Sequence, residues 1–108
     1  MITTERKVSG LFHGDIEGDA SMQSVMAYTE RGTAHYTGLQ RMVGTLAGRS
    51  GTFVLQVSGT YAEERATTSW FVVPESGSGD LCGLRGEGGY VAGHGQQQVP
   101  YTLDYSFG

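Results

Sequence analysis

The sequence predicts an all-β domain, an antiparallel up-and-down β-barrel of about seven to eight strands. Three observations carry that prediction. Apolar and polar residues alternate with a period of two in several stretches. No stretch sustains apolar residues at helical spacing. Glycine supplies 18 of the 108 residues, falling both between and inside the apolar runs. Glycines without a three-residue period, with only 2 prolines, exclude a collagen-like chain, and six tyrosines, four phenylalanines and one tryptophan argue against disorder. The length fits one domain spanning residues 1–108.

The elements follow in order: Thr3–His13, Ser21–Thr29, Thr33–Leu46, Thr52–Glu63, Arg65–Val73, Leu81–Val91 and Pro100–Phe107. The last is the clearest, with Tyr101, Leu103, Tyr105 and Phe107 alternating with Thr102, Asp104 and Ser106. Phe53, Leu55, Val57, Gly59 and Tyr61 repeat the pattern in mid-chain, with Gln56, Ser58 and Thr60 on the opposite face. Turn chemistry separates the runs at Glu30-Arg31-Gly32, Gly48-Arg49-Ser50-Gly51 and Glu75-Ser76-Gly77-Ser78-Gly79-Asp80. Glu63-Glu64-Arg65 reads as a hairpin tip without glycine. Glycines inside strands, at Gly10, Gly38, Gly44, Gly59, Gly83 and Gly86, favour a barrel over a sandwich, because tightly curved sheets need kinks.

Charge and cysteine usage narrow the function classes. The net charge is −4 and the seven basic residues are scattered, which argues against nucleic acid as a partner. No apolar run approaches the roughly 20 residues of a membrane helix, and the N-terminus lacks a secretory core. Cys82 is the single cysteine and has no internal partner, so a cytoplasmic protein is expected.

Several motifs fail on spacing. Gly14-Asp15-Ile16-Glu17-Gly18-Asp19 has oxygens at alternate positions, but Ala20 and Met26 stand where a calcium loop needs glycine and a carboxylate. A solvated turn is expected there instead. Gly83-Leu84-Arg85-Gly86-Glu87-Gly88-Gly89 opens no helix and so is not a dinucleotide loop. Ser76-Gly77-Ser78-Gly79 reads as a connection, though it has the composition of a small anion nest. His13, His35 and His94 match no metal-ligand spacing, and Gly48-Arg49-Ser50-Gly51 is not a nucleophile elbow. No metal and no cofactor are expected, and Cys82 reads as a small buried apolar group. The interior is expected to draw on Tyr28, Tyr36, Tyr61, Trp70, Met22 and Met26, with Arg41, Arg85 and Glu87 outside or paired.

The segments Gly44-Thr-Leu-Ala-Gly48-Arg49-Ser50-Gly51-Thr52-Phe53-Val54-Leu55-Gln56 and Val72-Val73-Pro74-Glu75-Ser76-Gly77-Ser78-Gly79-Asp80-Leu81 resemble the DUF3224 family. These are small bacterial proteins of unassigned function. Phe12-His13-Gly14-Asp15-Ile16-Glu17-Gly18 and Tyr101-Thr-Leu-Asp104-Tyr105 fit the same pattern, so the resemblance covers essentially the whole chain. It implies a barrel similar to that of allene oxide cyclase, the enzyme that closes a fatty-acid epoxide into a cyclopentenone, an analogy of fold alone. The family pattern places a Glu where this chain has Gln40, a His where it has Val57, and a further strand before the Phe12 segment. Losing the two titratable groups favours binding over catalysis, and a late-starting chain implies an open edge and hence a homodimer, or N-terminal residues that cover the gap.

The expected function is therefore binding of a small, mostly apolar molecule in the interior, near Tyr36, Tyr61, Trp70, His35 and Glu87. The alternatives are an isomerase or cyclase using Glu17, His35 or Glu87 as acid or base, and an interaction module acting through its dimer face.

Overall fold

Seven strands form in chain order: β1 (Ile2–Phe12), β2 (Ile16–Tyr28), β3 (Ala34–Leu46), β4 (Arg49–Ala62), β5 (Arg65–Val72), β6 (Leu84–Gly93) and β7 (Tyr101–Phe107). The structure is a computed structural model that describes residues 2–12, 16–93 and 99–107, the first stretch as backbone. One antiparallel sheet holds the strands in the order β1-β2-β3-β4-β5-β6-β7. The up-and-down meander is as expected. Strand β1 runs for 11 residues up to Phe12 and matches the expected first strand, Thr3–His13.

Alternation decides which face is buried. Ile16, Ala20, Met42, Leu46, Phe53, Leu55, Val57, Trp70, Val72, Leu81 and Leu84 form one cluster, with Met22, Tyr36, Tyr90, Tyr101, Leu103, Tyr105 and Phe107 packed against it. These residues belong to six strands, β2 to β7, and to the β5–β6 connection, so the sheet coils until its inner face packs against itself. The molecule measures 45 × 25 × 20 Å along its principal axes. Its long dimension matches strands of 13 and 14 residues at about 3.3 Å each.

The expected barrel does not close. Among the described residues the ladder ends at β1 on one side and β7 on the other. The near approach across the gap is made by a side chain: the Ile16 amide of β2 donates to the Tyr101 hydroxyl of β7 at 3.2 Å. Period two reports that one face is buried. It carries no information on whether the first and last strands meet, and coiling buries this face without a closing ladder.

The turns correct several boundaries. Thr29–Thr33 is closed by the Thr29 amide on the Thr33 carbonyl at 2.8 Å, with Gly32 at φ +83°, as the Glu30-Arg31-Gly32 signal requires. The next turn is tighter than expected. Ala47 (φ +50°) and Gly48 (φ +83°) link Leu46 to Arg49, so β4 starts three residues before Thr52. Strand β2 starts five residues before Ser21, and the acidic segment expected as a turn is strand from Ile16 onward, with Ile16 and Ala20 buried and Glu17 and Asp19 exposed. Gly18 mimics a turn signal in sequence. In the sheet it lies opposite Gly44, which lies opposite Gly51; Gly18 and Gly44 let β2 and β3 approach closely, and Gly51 leaves room for the Ser78 carbonyl and Leu81.

Connection 73–83 is strapped to the edge of β4. The Ser76 hydroxyl accepts from the Val54 amide at 3.1 Å, the Ser78 hydroxyl accepts from the Thr52 amide at 3.2 Å, and the Ser78 amide donates to the Thr52 carbonyl at 2.8 Å. These serines thus substitute for a strand. A 3₁₀ turn, Gly79–Leu81, then buries Leu81 completely, and Cys82 faces outward as an exposed thiol, not the buried group expected. Leu81 takes the inward position and leaves its neighbour outside.

The Ala62–Arg65 hairpin carries Glu63 at φ +54° and Glu64 at φ +62°, two left-handed residues without glycine. Left-handed backbone costs about 1–2 kcal/mol per ordinary residue, and such turns favour Asn-Gly. The double substitution Glu63→Asn, Glu64→Gly is expected to stabilise the fold by about 1 kcal/mol, raising Tm by about 4–8 °C in a thermal melt. A Tm at or below that of the parent protein would contradict this account.

Candidate functional site

Two two-residue turns fix the register of β3, β4 and β5, and the register assembles a row across the sheet. Met26, Tyr36, Gly59, Thr68, Tyr90 and Tyr101 are successive cross-strand partners on β2 to β7. The adjacent row runs Ser24, Gly38, Val57, Trp70, Gly88 and Leu103. Both lie on the inner, concave face. Rows toward Ile16 and Leu46 are mostly apolar apart from Gln40 and Tyr105, whereas these two bring together the hydroxyls of Tyr36, Thr68, Tyr90 and Tyr101 with the Trp70 ring.

Gly59 explains how Tyr36 is placed. A Cβ at position 59 would lie 2.5 Å from the Tyr36 hydroxyl and 2.6 Å from its ring. The phenol therefore crosses β4 over the bare glycine and hydrogen-bonds the Thr68 hydroxyl on β5. Trp70 repeats the device one strand later. Its register partner on β6 is Gly88, and its indole N–H donates to the Thr102 carbonyl on β7 at 3.0 Å. Trp70 is 3 % exposed; Tyr90 meets it edge-on at 5.2 Å and Tyr101 lies tilted at 6.1 Å. Gly59, expected as a barrel kink, thus acts here as a gap under an aromatic bridge, and Gly88 is the register partner over which Trp70 reaches β7.

Burial raises the pKa of the Tyr36 phenol above its ordinary value; the bond from Thr68 opposes this and the nearby Tyr90 adds to it. Tyr36 is accordingly an O–H at neutral pH. With the folded value raised, the native state holds this proton after the unfolded chain has lost it, so stability falls as pH climbs past about 10. Tyr36→Phe should remove that part of the alkaline loss in urea melts compared at neutral and alkaline pH. An unchanged slope would show that burial of Tyr36 does not govern it.

The expected site residues divide. Tyr36 and Trp70 come together in the two rows. Tyr61 shares the inner face but sits at its rim beside Ala34 and Ala66, 37 % exposed, and Tyr28 is likewise exposed at the end of β2. His35 and Glu87 are exposed on the outer face, away from both, and so is Glu17. Their strand neighbours Tyr36, Gly86 and Gly18 take the inner positions. From β2 to β7 every carboxylate is exposed, as are Arg41 and Arg85. No carboxylate or histidine of those strands therefore faces the two rows, and the residues proposed for isomerase chemistry do not meet there; on β1, Arg6 is the register partner of Ser24. His13 and His94 lie outside the described residues. Gln40 and Val57, the two positions at which the family resemblance implied Glu and His, are both buried inner-face residues on neighbouring strands. The Gln40 amide N–H donates to the Met42 sulfur at 3.2 Å.

Thr68, Tyr90, Tyr101, Gln40 and Ser24 were not singled out from sequence as site residues. For Thr68 a signal existed: reading Ala47-Gly48 and Glu63-Glu64 as two-residue turns places it in line with Tyr36 and Gly59.

The site and fold define an all-β meander whose concave face carries an aromatic–hydroxyl cluster. The chain matches the model described as "Protein of unknown function (DUF3224)" over residues 3–105, and it belongs to that family. A solved structure of a DUF3224-family protein with unknown function from Shewanella oneidensis MR-1 is similar to it at 30% sequence identity and a TM-score of 0.83. The match covers 98% of this chain and 78% of that one. No curated protein matches. No helix among the described residues is long and apolar enough to cross a membrane.

Proposed function

We propose that this protein binds a small, mostly apolar molecule on its concave face, against Tyr36, Thr68, Trp70, Tyr90 and Tyr101. The observation that carries the reading is the pair of rows themselves. Two aromatic side chains bridge strands over glycines, and hydroxyls are held beside them on a mostly apolar face. Apolar surface with a few fixed polar groups is what small-molecule sites supply. A cytoplasmic setting belongs to the same reading, since the single cysteine is an exposed free thiol.

The test is titration with Nile red, an uncharged apolar dye. Its fluorescence should rise saturably, and Thr68→Val should weaken binding about threefold to tenfold, the worth of one hydrogen bond. No rise, or a rise indifferent to Thr68→Val and Trp70→Phe, would end the proposal.

A second reading, homodimerisation, is supported by a separate observation. Val25, Leu39 and Val43 are exposed on the outer face of β2 and β3, and among the described residues each end of the sheet has a free edge. Sedimentation equilibrium should show a dimer at micromolar concentration, weakened by Leu39→Lys; a monomer throughout would dismiss it.

A further inference from the structure

We infer that two copies of this chain pair through the convex outer face along β4, with Leu39 of each copy packed against Phe71 of the other. This inference rests on the dimer reading above and adds the contact surface and its symmetry.

Curvature is the first ground. The sheet coils around its inner face, so the outer face is convex, and two copies touch there only along a strip. β4 is the middle strand of the seven and runs for 14 residues. One outer row crosses it, with Gln23, Leu39, Gln56, Phe71, Glu87 and Asp104 as successive partners on β2 to β7. Leu39 is 54 % exposed and Phe71 43 %, so a large apolar side chain faces water on each side of β4.

Self-complementarity is the second. Leu39 and Phe71 flank Gln56, and in the next row Thr37 and Ser69 flank Ser58, all of them exposed. A two-fold axis running along β4 therefore sets apolar on apolar and hydroxyl on hydroxyl, which is what an isologous interface requires. It also brings Gln56 against Gln56 of the partner subunit. A side-chain amide carries both donors and an acceptor, so this central pair can bond reciprocally.

Charge is the third, and it selects the axis. Glu87 and Asp104 are exposed at the β6–β7 end of the row, and the register places Lys7 at the β1 end. The axis along β4 turns the acidic end of one copy over the β1–β2 end of the other. An axis across the strands would instead stack each carboxylate on its own counterpart, like on like, which opposes association. Aligned sheets crossing at about 30° over Gln56 keep Leu39 within reach of Phe71 of the partner subunit.

The experiment compares Leu39→Glu and Phe71→Lys, separately and mixed, by sedimentation equilibrium at micromolar concentration. Each new charge has an opposite neighbour in its own chain, Arg41 two residues along β3 and Glu87 across on β6. Far-UV circular dichroism should therefore show the parent fold. Alone, each variant should dimerise at least about thirtyfold more weakly, because a charge is pressed against an apolar side chain twice. In an equimolar mixture one Leu39–Phe71 contact stays native and the other becomes a Glu–Lys pair. Pairing should then recover at least about tenfold over either variant alone. Two weakened variants without recovery would show that Leu39 and Phe71 do not meet, overturning this inference and leaving the dimer reading standing. Variants that dimerise like the parent protein would also overturn it and move the interface to the sheet edges. A parent protein that stays monomeric would remove the dimer reading, and this inference with it.

Discussion

Gly44→Ala is expected to cost about 3 kcal/mol or more, through crowding of about 1–3 kcal/mol and backbone strain of similar size. Gly44 has φ +155°, and an added Cβ would press on the Glu17 carbonyl and lie 2.8 Å from the Gly18 Cα. The obstacles are backbone atoms of the neighbouring strand, so no rotamer change relieves them. Two comparisons separate the causes. At Gly48 (φ +83°) a Cβ meets nothing within 4 Å, so Gly48→Ala carries conformational strain alone. At Gly38 the φ is ordinary but a Cβ would lie 2.7 Å from the Ser24 Cα, so Gly38→Ala carries crowding alone. Urea melts should rank Gly44→Ala as the most damaging of the three. Equal losses at Gly44 and Gly48 would show that the close approach of β2 to β3 is dispensable.

The same glycines show where sequence reading stops. Alternation located every strand, and the face of Phe53, Leu55 and Val57 is as buried as their spacing implies. Hydrophobic burial has a local signature because side chains switch faces at every residue. Interior glycine has none, since it is compatible with a kink, a bulge or a gap. Gly59 and Gly88 lie under aromatic bridges, Gly18 and Gly44 pack β2 on β3, and Gly51 admits the Ser78 carbonyl, yet in sequence all five look alike. Only pairing tells them apart. Pairing through β3, β4 and β5 follows from turn length, so the Tyr36–Gly59–Thr68 line was within reach of a correct turn assignment. The β5–β6 connection is longer, and the register that brings Tyr90 and Gly88 to Thr68 and Trp70 is set by serine straps and the buried Leu81. Those contacts leave no periodic trace. His35 and Glu87 illustrate the converse: residue type attracts functional assignment, while the period-two rule places both on the outer face once their neighbours Tyr36 and Gly86 are seen to point in.

Trp70→Ala is expected to be the second severe change, costing about 3–5 kcal/mol of a total stability on the order of 5–15 kcal/mol. The indole fills the centre of the inner face, spans β6 above Gly88 and ties β5 to the Thr102 carbonyl of β7. Its removal opens a void that Gly88 cannot fill, and it withdraws the ring partner of Tyr90 and Tyr101. Trp70→Phe separates the parts. It keeps most of the apolar area and loses the N–H donor, for a smaller cost of about 0.5–1.5 kcal/mol from the hydrogen bond plus incomplete packing. Far-UV circular dichroism in urea measures both variants without needing the lost fluorophore. Because β7 has β6 as its one strand partner among the described residues, losing the bridge should also free β7 first. Amide exchange in Tyr101–Phe107 should then accelerate more than in β3 or β4. Uniform acceleration across the sheet would mean that Trp70 supports the core as a whole, with no special hold on β7.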